Sequence, residues 1–213
     1  LLYFTEQLRE KISLLDDTHK PVFDDLHQLI LQNSTSLYLL IENLVEWVKI
    51  QLNHIQFHPK RSNLVVLAHR CVASLADSLS NKAIQVEMDF PKHLYAEVDE
   101  EMMLLVFWNV ITNAIKFSHP DSKIQFSLKE EGDQIVIEVL DEGVGIPPSI
   151  QESLFRIDKK IATAGTQGEQ GTGLGLLITG EYIHRHGGTL ELVAQKPHGT
   201  CVTIYIPQTK DRE

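Results

Sequence analysis

Asn109-Val-Ile-Thr-Asn113-Ala-Ile-Lys116-Phe117-Ser118, then Asp141-Glu-Gly143-Val-Gly145, then Gly171-Thr172-Gly173-Leu174-Gly175-Leu176 are the stretches on which the fold turns. Asn109, Asn113 and Lys116 are spaced four and three apart, so they share one face of a helix running from about Glu100 to Phe117. The opposite face of that helix is strongly apolar. Asp141 closes a run of alternating apolar and polar residues, so its carboxylate leaves the end of a strand just ahead of two glycines. The third stretch opens a helix reaching about His186 and places free backbone donors where an anion can sit.

An amide oxygen is a neutral, hard ligand for Mg²⁺, and an ammonium is a point charge for phosphate oxygens. Asn109, Asn113 and Lys116 together therefore suit a Mg-triphosphate, although on an isolated helix the two asparagines would read better as solvent-side or satisfied core amides. Asp141 can accept a hydrogen bond from the exocyclic amine of a base, which favours adenine over guanine, and Gly143 and Gly145 let backbone approach the ring. Alone, Asp-x-Gly is also a common turn. The Gly171 to Gly175 stretch is neither a dinucleotide fingerprint nor a P-loop: no strand precedes it directly, the third glycine comes one residue early, and no Gly-Lys-Ser/Thr follows. It fits a phosphate cradle, a hinge, or both. Arg156 to Gln170 has almost no apolar periodicity and is rich in Lys, Thr, Gly and Gln, the pattern of a functional lid or a disordered loop.

Outward from these stretches, Lys123–Leu128 and Gln134–Leu140 alternate as an antiparallel hairpin, and Thr189–Val193 with Thr200–Ile206 make a second. Ile84 to Phe90 reads as a further strand, and Asn63 can cap a helix running to about Ala83. These elements predict an α+β fold, a two-layer sandwich with strands on one side and helices on the other. Upstream, Leu1 to about Leu15 has helical spacing, and Asp16 to Pro21 is a polar connection. A second helix runs to about Ile55, with Leu26, Ile30, Leu37, Leu40, Leu44, Val48 and Leu52 along one seam. One hairpin cannot cover that seam, and a second copy is the simplest cover, giving a four-helix dimer. His58-Pro59-Lys-Arg-Ser62 breaks the chain between the two parts, placing the domains at 1–58 and 59–213.

The chain has 213 residues, 43% apolar and 23% charged, enough for a proper core and not a disordered composition. A net charge of −10 argues against nucleic-acid or anionic-membrane binding, so an anionic ligand must be held locally. No membrane span or signal-peptide layout is present, and no membrane contact is expected. Cys71 and Cys201 suit buried, reduced thiols in a cytoplasmic protein. His184 and His186 flank Arg185 at a helix end, where cationic side chains favour the dipole.

The three stretches resemble the N box and the two glycine boxes, with the ATP lid between, of sensor histidine kinases of two-component systems, within the superfamily of gyrase, MutL and Hsp-type ATPases. The resemblance extends upstream, where Leu40-Ile-Glu-Asn-Leu-Val-Glu-Trp47 is similar to the second helix of the dimerisation and histidine-phosphotransfer hairpin. It implies that Asn113 is the amide ligand of Mg²⁺, that Asn109 supports phosphate or metal, and that Lys116 contacts phosphate. It further implies that Phe117 lies against adenine, that Asp141 contacts the base, and that Gly143 and Gly145 line it. Phe155 matches the phenylalanine box, Lys159 or Lys160 would reach phosphates from the lid, and Gly171, Thr172, Gly173, Leu174 and Gly175 form the second glycine box. Thr200 holds a late strand position near the base. The implied activity is transfer of the γ-phosphoryl of Mg-ATP to a histidine, then onward to an aspartate in the receiver domain of a response regulator.

Two departures stand out. The phenylalanine box, Leu154-Phe155-Arg-Ile-Asp158, has no second phenylalanine. The family's acceptor motif is a histidine, an acidic residue, a basic residue two further on and proline; neither His19 nor His27 carries it. Leu1-Leu2-Tyr3-Phe4 already looks like the inside of a helix, so the acceptor is expected upstream, and the chain as it stands is not expected to phosphorylate itself. Among alternatives, a gyrase- or MutL-type ATPase would carry a glutamate where Asn109 stands, and an amide cannot take a proton. A non-catalytic dimer scaffold that binds nucleotide or a regulator is supported only by the absent acceptor histidine, which an upstream position explains more simply, and the intact glycine boxes and Asn113 speak against loss of nucleotide binding.

Overall fold

The computed structural model describes residues 12, 20–52, 56–147, 163–169, 171–195 and 198–208. The chain divides into two compact units, Leu1–Val48 and Lys49–Glu213. The expected first helix lies outside the described residues apart from Ile12. Helix α1 spans Lys20–Gln51, mostly in the first unit, ending four residues before the expected Ile55. Its seam residues Leu26, Ile30, Leu37, Leu40, Leu44, Val48 and Leu52 remain between 38% and 59% exposed. No helix among the described residues is long and apolar enough to cross a membrane.

The second unit runs β1 (Lys60–Asn63), α2 (Leu64–Ser74), α3 (Ala76–Asn81), β2 (Gln85–Asp89), β3 (Tyr95–Val98), α4 (Glu100–Phe117), β4 (Lys123–Glu131), β5 (Gln134–Asp141), α5 (Gly175–Arg185), β6 (Thr189–Ala194) and β7 (Thr200–Pro207). A five-stranded sheet has the order β2-β4-β5-β7-β6. Both expected hairpins are present, and β5 joins them by pairing antiparallel with β7, from Gln134 opposite Pro207 to Asp141 opposite Thr200. β2 pairs parallel with β4, which makes the sheet mixed.

Alternation along the strands turns Ile124, Phe126 and Leu128 of β4, Ile135, Ile137 and Val139 of β5, and Val202, Ile204 and Ile206 of β7 into the core. Against them α4 buries Met102, Met103, Val106, Phe107, Val110 and Ile111, and α5 buries Ile178, Tyr182 and Ile183. Phe126 meets Phe90 and Phe107 edge-on, with ring centroids 4.9 and 5.5 Å away, a geometry that places ring edges against ring faces.

Several elements differ from expectation. Residues 60–63, read as a break, form β1, which pairs antiparallel with β3, a strand that alternation over four residues did not reveal. The helix expected from Asn63 to about Ala83 is two helices interrupted at Leu75. Asn63 caps the first: its Oδ1 accepts from the amide of Val65 at 3.1 Å and also from that of Leu94 at 3.3 Å. α5 begins at Gly175, so Gly171 to Leu174 precede the helix rather than forming its first turn.

Candidate functional site

α4 is the spine of the site. Asp99 caps it, its Oδ1 accepting from the amides of Glu101 and Met102, and Glu100 and Glu101 in the first turn suit the positive end of the dipole. At the other end the three motif stretches meet. The amide of Val144 donates to the carbonyl of Phe117 at 3.1 Å, which ties the first glycine stretch to the last turn of α4. Gly143 lies so close to that turn that a Cβ there would overlap the Phe117 carbonyl oxygen and stand 2.9 Å from Asp141 Oδ1. Gly145, at φ +71°, packs against Gly199, itself at φ +106° and pressed onto the Asp141 carbonyl, so both positions need a residue without a Cβ.

The second glycine stretch reaches the same helix. Asn109 is buried, and its Nδ2 donates to the carbonyl of Gly175 at 3.3 Å. A Cβ on Gly171 would meet Lys116 Nζ at 2.5 Å. The Lys116 ammonium donates to the carbonyl of Thr163 at 2.6 Å and lies 4.6 Å from the centre of the Phe117 ring. Burial lowers its pKa, Glu169 opposes that shift, and Lys82 adds to it. Asn113, half-buried, stands one turn on from Asn109. Thr172 Oγ1 accepts from the amide of Leu174 at 3.2 Å, an ST turn just before α5. Gly173 has φ +70°.

Asp141 is buried at the end of β5, and its Oδ1 accepts from the amides of Gly143 at 2.9 Å and Thr200 at 3.1 Å. Neither bond uses Oδ2. Burial raises the Asp141 pKa above the ordinary aspartate value, and the two amides oppose the shift. Thr200 is thus placed beside Asp141 through its amide. Phe155, Lys159 and Lys160 lie outside the described residues.

His186 departs from one expectation, that it adds a cation to the helix end, while Arg185 remains in the last turn of α5. Its Nδ1 donates to the carbonyl of Tyr182 at 2.6 Å and its Nε2 accepts from the amide of Asp99 at 3.1 Å, which defines a neutral ring. Burial lowers its pKa against the opposing Tyr182 bond and Asp99 charge. Phe57 packs edge-on to the ring at 4.9 Å, and the amide of His58 donates to Asp99 Oδ2 at 2.9 Å. Lys82, Thr166 and Glu169 also join the site's edge without having been singled out; Lys82 sits at a helix end, where a lysine ordinarily points to water, and no local pattern marks it.

The family model described as "Histidine kinase-, DNA gyrase B-, and HSP90-like ATPase" matches residues 98–210, which hold all three motif stretches. The chain belongs to this family. Its relatives are sensor histidine kinases of two-component systems, and the chain carries their catalytic ATPase region. The circadian input-output histidine kinase CikA of Synechococcus elongatus is 25% identical over 207 residues, covering 96% of this chain and 26% of that relative. The sensor histidine kinase WalK of Bacillus subtilis is 30% identical over 192 residues, covering 87% of this chain and 31% of that relative. The chain thus spans about a third or less of these two curated relatives. Among solved structures, histidine kinase ThkA in complex with response regulator protein TrrA has a TM-score of 0.71 at 18% identity, covering 100% of this chain and 59% of that one. At that identity the likeness speaks to the fold.

Proposed function

We propose that the chain binds Mg-ATP and transfers its γ-phosphoryl group to a histidine, as the core of a cytoplasmic sensor histidine kinase. The observation that carries this is the convergence of Asp141, the glycine stretches and the Asn109–Asn113–Lys116 face on one end of α4. Asp141 Oδ2 accepts from the exocyclic amine of adenine, while Oδ1 is held by the two amides. Phe117 lies against the base, with Gly143, Gly145 and Thr200 around it. Gly171 to Gly175 offer backbone donors to phosphate, and Lys159 or Lys160 approaches from the lid.

Among the described residues no cluster of three or more His, Cys, Asp or Glu could hold a metal ion. A magnesium ion bound with the nucleotide would be held by the Asn113 amide together with phosphate oxygens. When bound, it offsets charge on the phosphates. Lys116 keeps its bond to the Thr163 carbonyl and offers its remaining protons to the phosphate oxygens. Asn109, bonded to Gly175, supports that side of the site and is not a base, which disfavours water activation.

The exposed seam of α1 supports homodimerisation through a helical hairpin over residues 1–58, with 59–213 as the catalytic domain. A receiver domain docked on that hairpin accepts the phosphoryl group, in keeping with the ThkA complex with its regulator. The net charge of −10 gives no support to a nucleic-acid partner. The test is titration with ATP, with and without Mg²⁺, followed by γ-labelled ATP given to this chain and to a version extended upstream of Leu1. Magnesium-dependent ATP binding and acid-labile label on the extended version alone are expected. No such binding at millimolar ATP would overturn the proposal, and label on this chain would move the acceptor to a histidine within it.

A further inference from the structure

Lys82 follows α3, and its side chain is only 4% exposed. Its ammonium donates to the carbonyls of Ile115 at 2.8 Å, Lys116 at 3.0 Å and Ser118 at 3.4 Å, and to Thr166 Oγ1 at 2.9 Å, and it pairs with Glu169 at 2.5 Å. The carbonyls belong to the last turn of α4, where no helical amide follows to satisfy them and where the dipole is negative. A buried cation is tolerable when it is paired and its protons are all used, and these acceptors meet both needs.

The same carbonyls receive the later part of the lid stretch. The amide of Thr166 donates to the Lys116 carbonyl at 3.0 Å, and Thr166 Oγ1 donates to the Ser118 carbonyl at 2.6 Å. Residues 165–169 are turned back on themselves, Gly165 donating to the Glu169 carbonyl and the amide of Gln167 to Glu169 Oε2, both at 2.8 Å. Lys82 is thus the common partner of two segments, the end of α4 and residues 163–169, and its bond to Thr166 reaches 84 residues along the chain. Thr163, just before this turn, is the residue whose carbonyl holds Lys116.

We propose that Lys82 is a positioning residue for nucleotide chemistry: with Thr166 and Glu169 it clamps segment 163–169 to the end of α4 and so sets where Lys116 meets the phosphates. Burial pushes the Glu169 carboxyl up, but the Lys82 bond, the backbone amides and the Lys82 charge outweigh it, so the carboxylate is held below its ordinary range. The Glu169 carboxylate is therefore charged at neutral pH. The lysine acts on the phosphate side of the site; Asp141, on the base side, has no bond to it.

The proposal rests on the Mg-ATP reading, and two measurements keep their failures apart. Hydrogen exchange without nucleotide reads the clamp itself: Lys82→Met should lower protection at Gly165 and Thr166 at least tenfold and leave Ile137 and Val139 of β5 unchanged. Calorimetry reads its consequence: Mg-ATP should bind at least tenfold more weakly to Lys82→Met while adenosine binds as to the parent, a split that general destabilisation would not produce. Thr166→Val should behave like Lys82→Met, and Thr166→Ser, which keeps the hydroxyl, should restore both values; this pair decides the matter if Lys82→Met does not fold. Parent-like protection and Mg-ATP affinity in Lys82→Met or Thr166→Val would overturn the proposal. So would an equal loss of adenosine and Mg-ATP. A parent protein that binds no Mg-ATP would sink the functional reading, and the exchange arm would still test the clamp.

Discussion

Replacing Asp141 by Asn and by Ala separates what this carboxylate does for the fold from what it does for the base. In Asp141→Asn the amide oxygen can still accept from Gly143 and Thr200, so the two buried donors keep their partner. Burial already raises the Asp141 pKa, meaning that the native state disfavours the charge, and removing it therefore costs no stability from that source. The other position becomes an NH₂, a donor facing the donor of adenine. Losing a hydrogen bond to a charged group costs ~1.5–3 kcal/mol, so ATP should bind roughly 10- to 150-fold more weakly, with little change in melting temperature. Asp141→Ala strands both amides at ~1–3 kcal/mol each, so it should lose a further ~2–6 kcal/mol of stability, a large part of the ~5–15 kcal/mol typical of a domain. Calorimetry with ATP and thermal unfolding of both variants check this. Asp141→Asn binding ATP within twofold of the parent would refute the assignment of Oδ2 to the base.

The raised Asp141 pKa also implies a pH dependence: ATP affinity should begin to fall on acidification while still above the ordinary aspartate value of 3.8, and Asp141→Asn should lack that limb when titrated in parallel. Gly143→Ala forces a methyl onto the Phe117 carbonyl and should cost ~1–3 kcal/mol or more by chemical denaturation; a neutral outcome would mean that the last turn of α4 can retreat. His186 has a lowered pKa, so the unfolded chain binds the extra proton first and stability should drop as pH falls below the ordinary histidine value of 6.5. His186→Gln should flatten that part of the stability profile. Phe126→Ala removes the ring shared by Phe90 and Phe107 and should cost ~3–5 kcal/mol, measured from denaturant midpoints.

Local pattern was enough for the elements that hold the motifs. The 3.6-residue period placed α4 at Glu100–Phe117, and the two-residue period found both hairpins, because each signal is repeated within a single element and each element buries one face. The spacing of Asn109, Asn113 and Lys116 marked one helix face, and the glycines marked where backbone must come close. Tertiary structure decided the rest. β1 and β3 are four residues long, too short for a period to show, and exist through pairing with each other; the parallel match of β2 with β4 and the joining of the hairpins through β5 and β7 are likewise contacts between distant segments. Asn109 turned out bonded to Gly175, and His186 neutral, because burial and partners, not residue type, set what a polar side chain does. Lys82 is the clearest case: its chemistry is made by carbonyls that a finished helix leaves open and by a hydroxyl and a carboxylate far along the chain, so nothing in its own neighbourhood announces it.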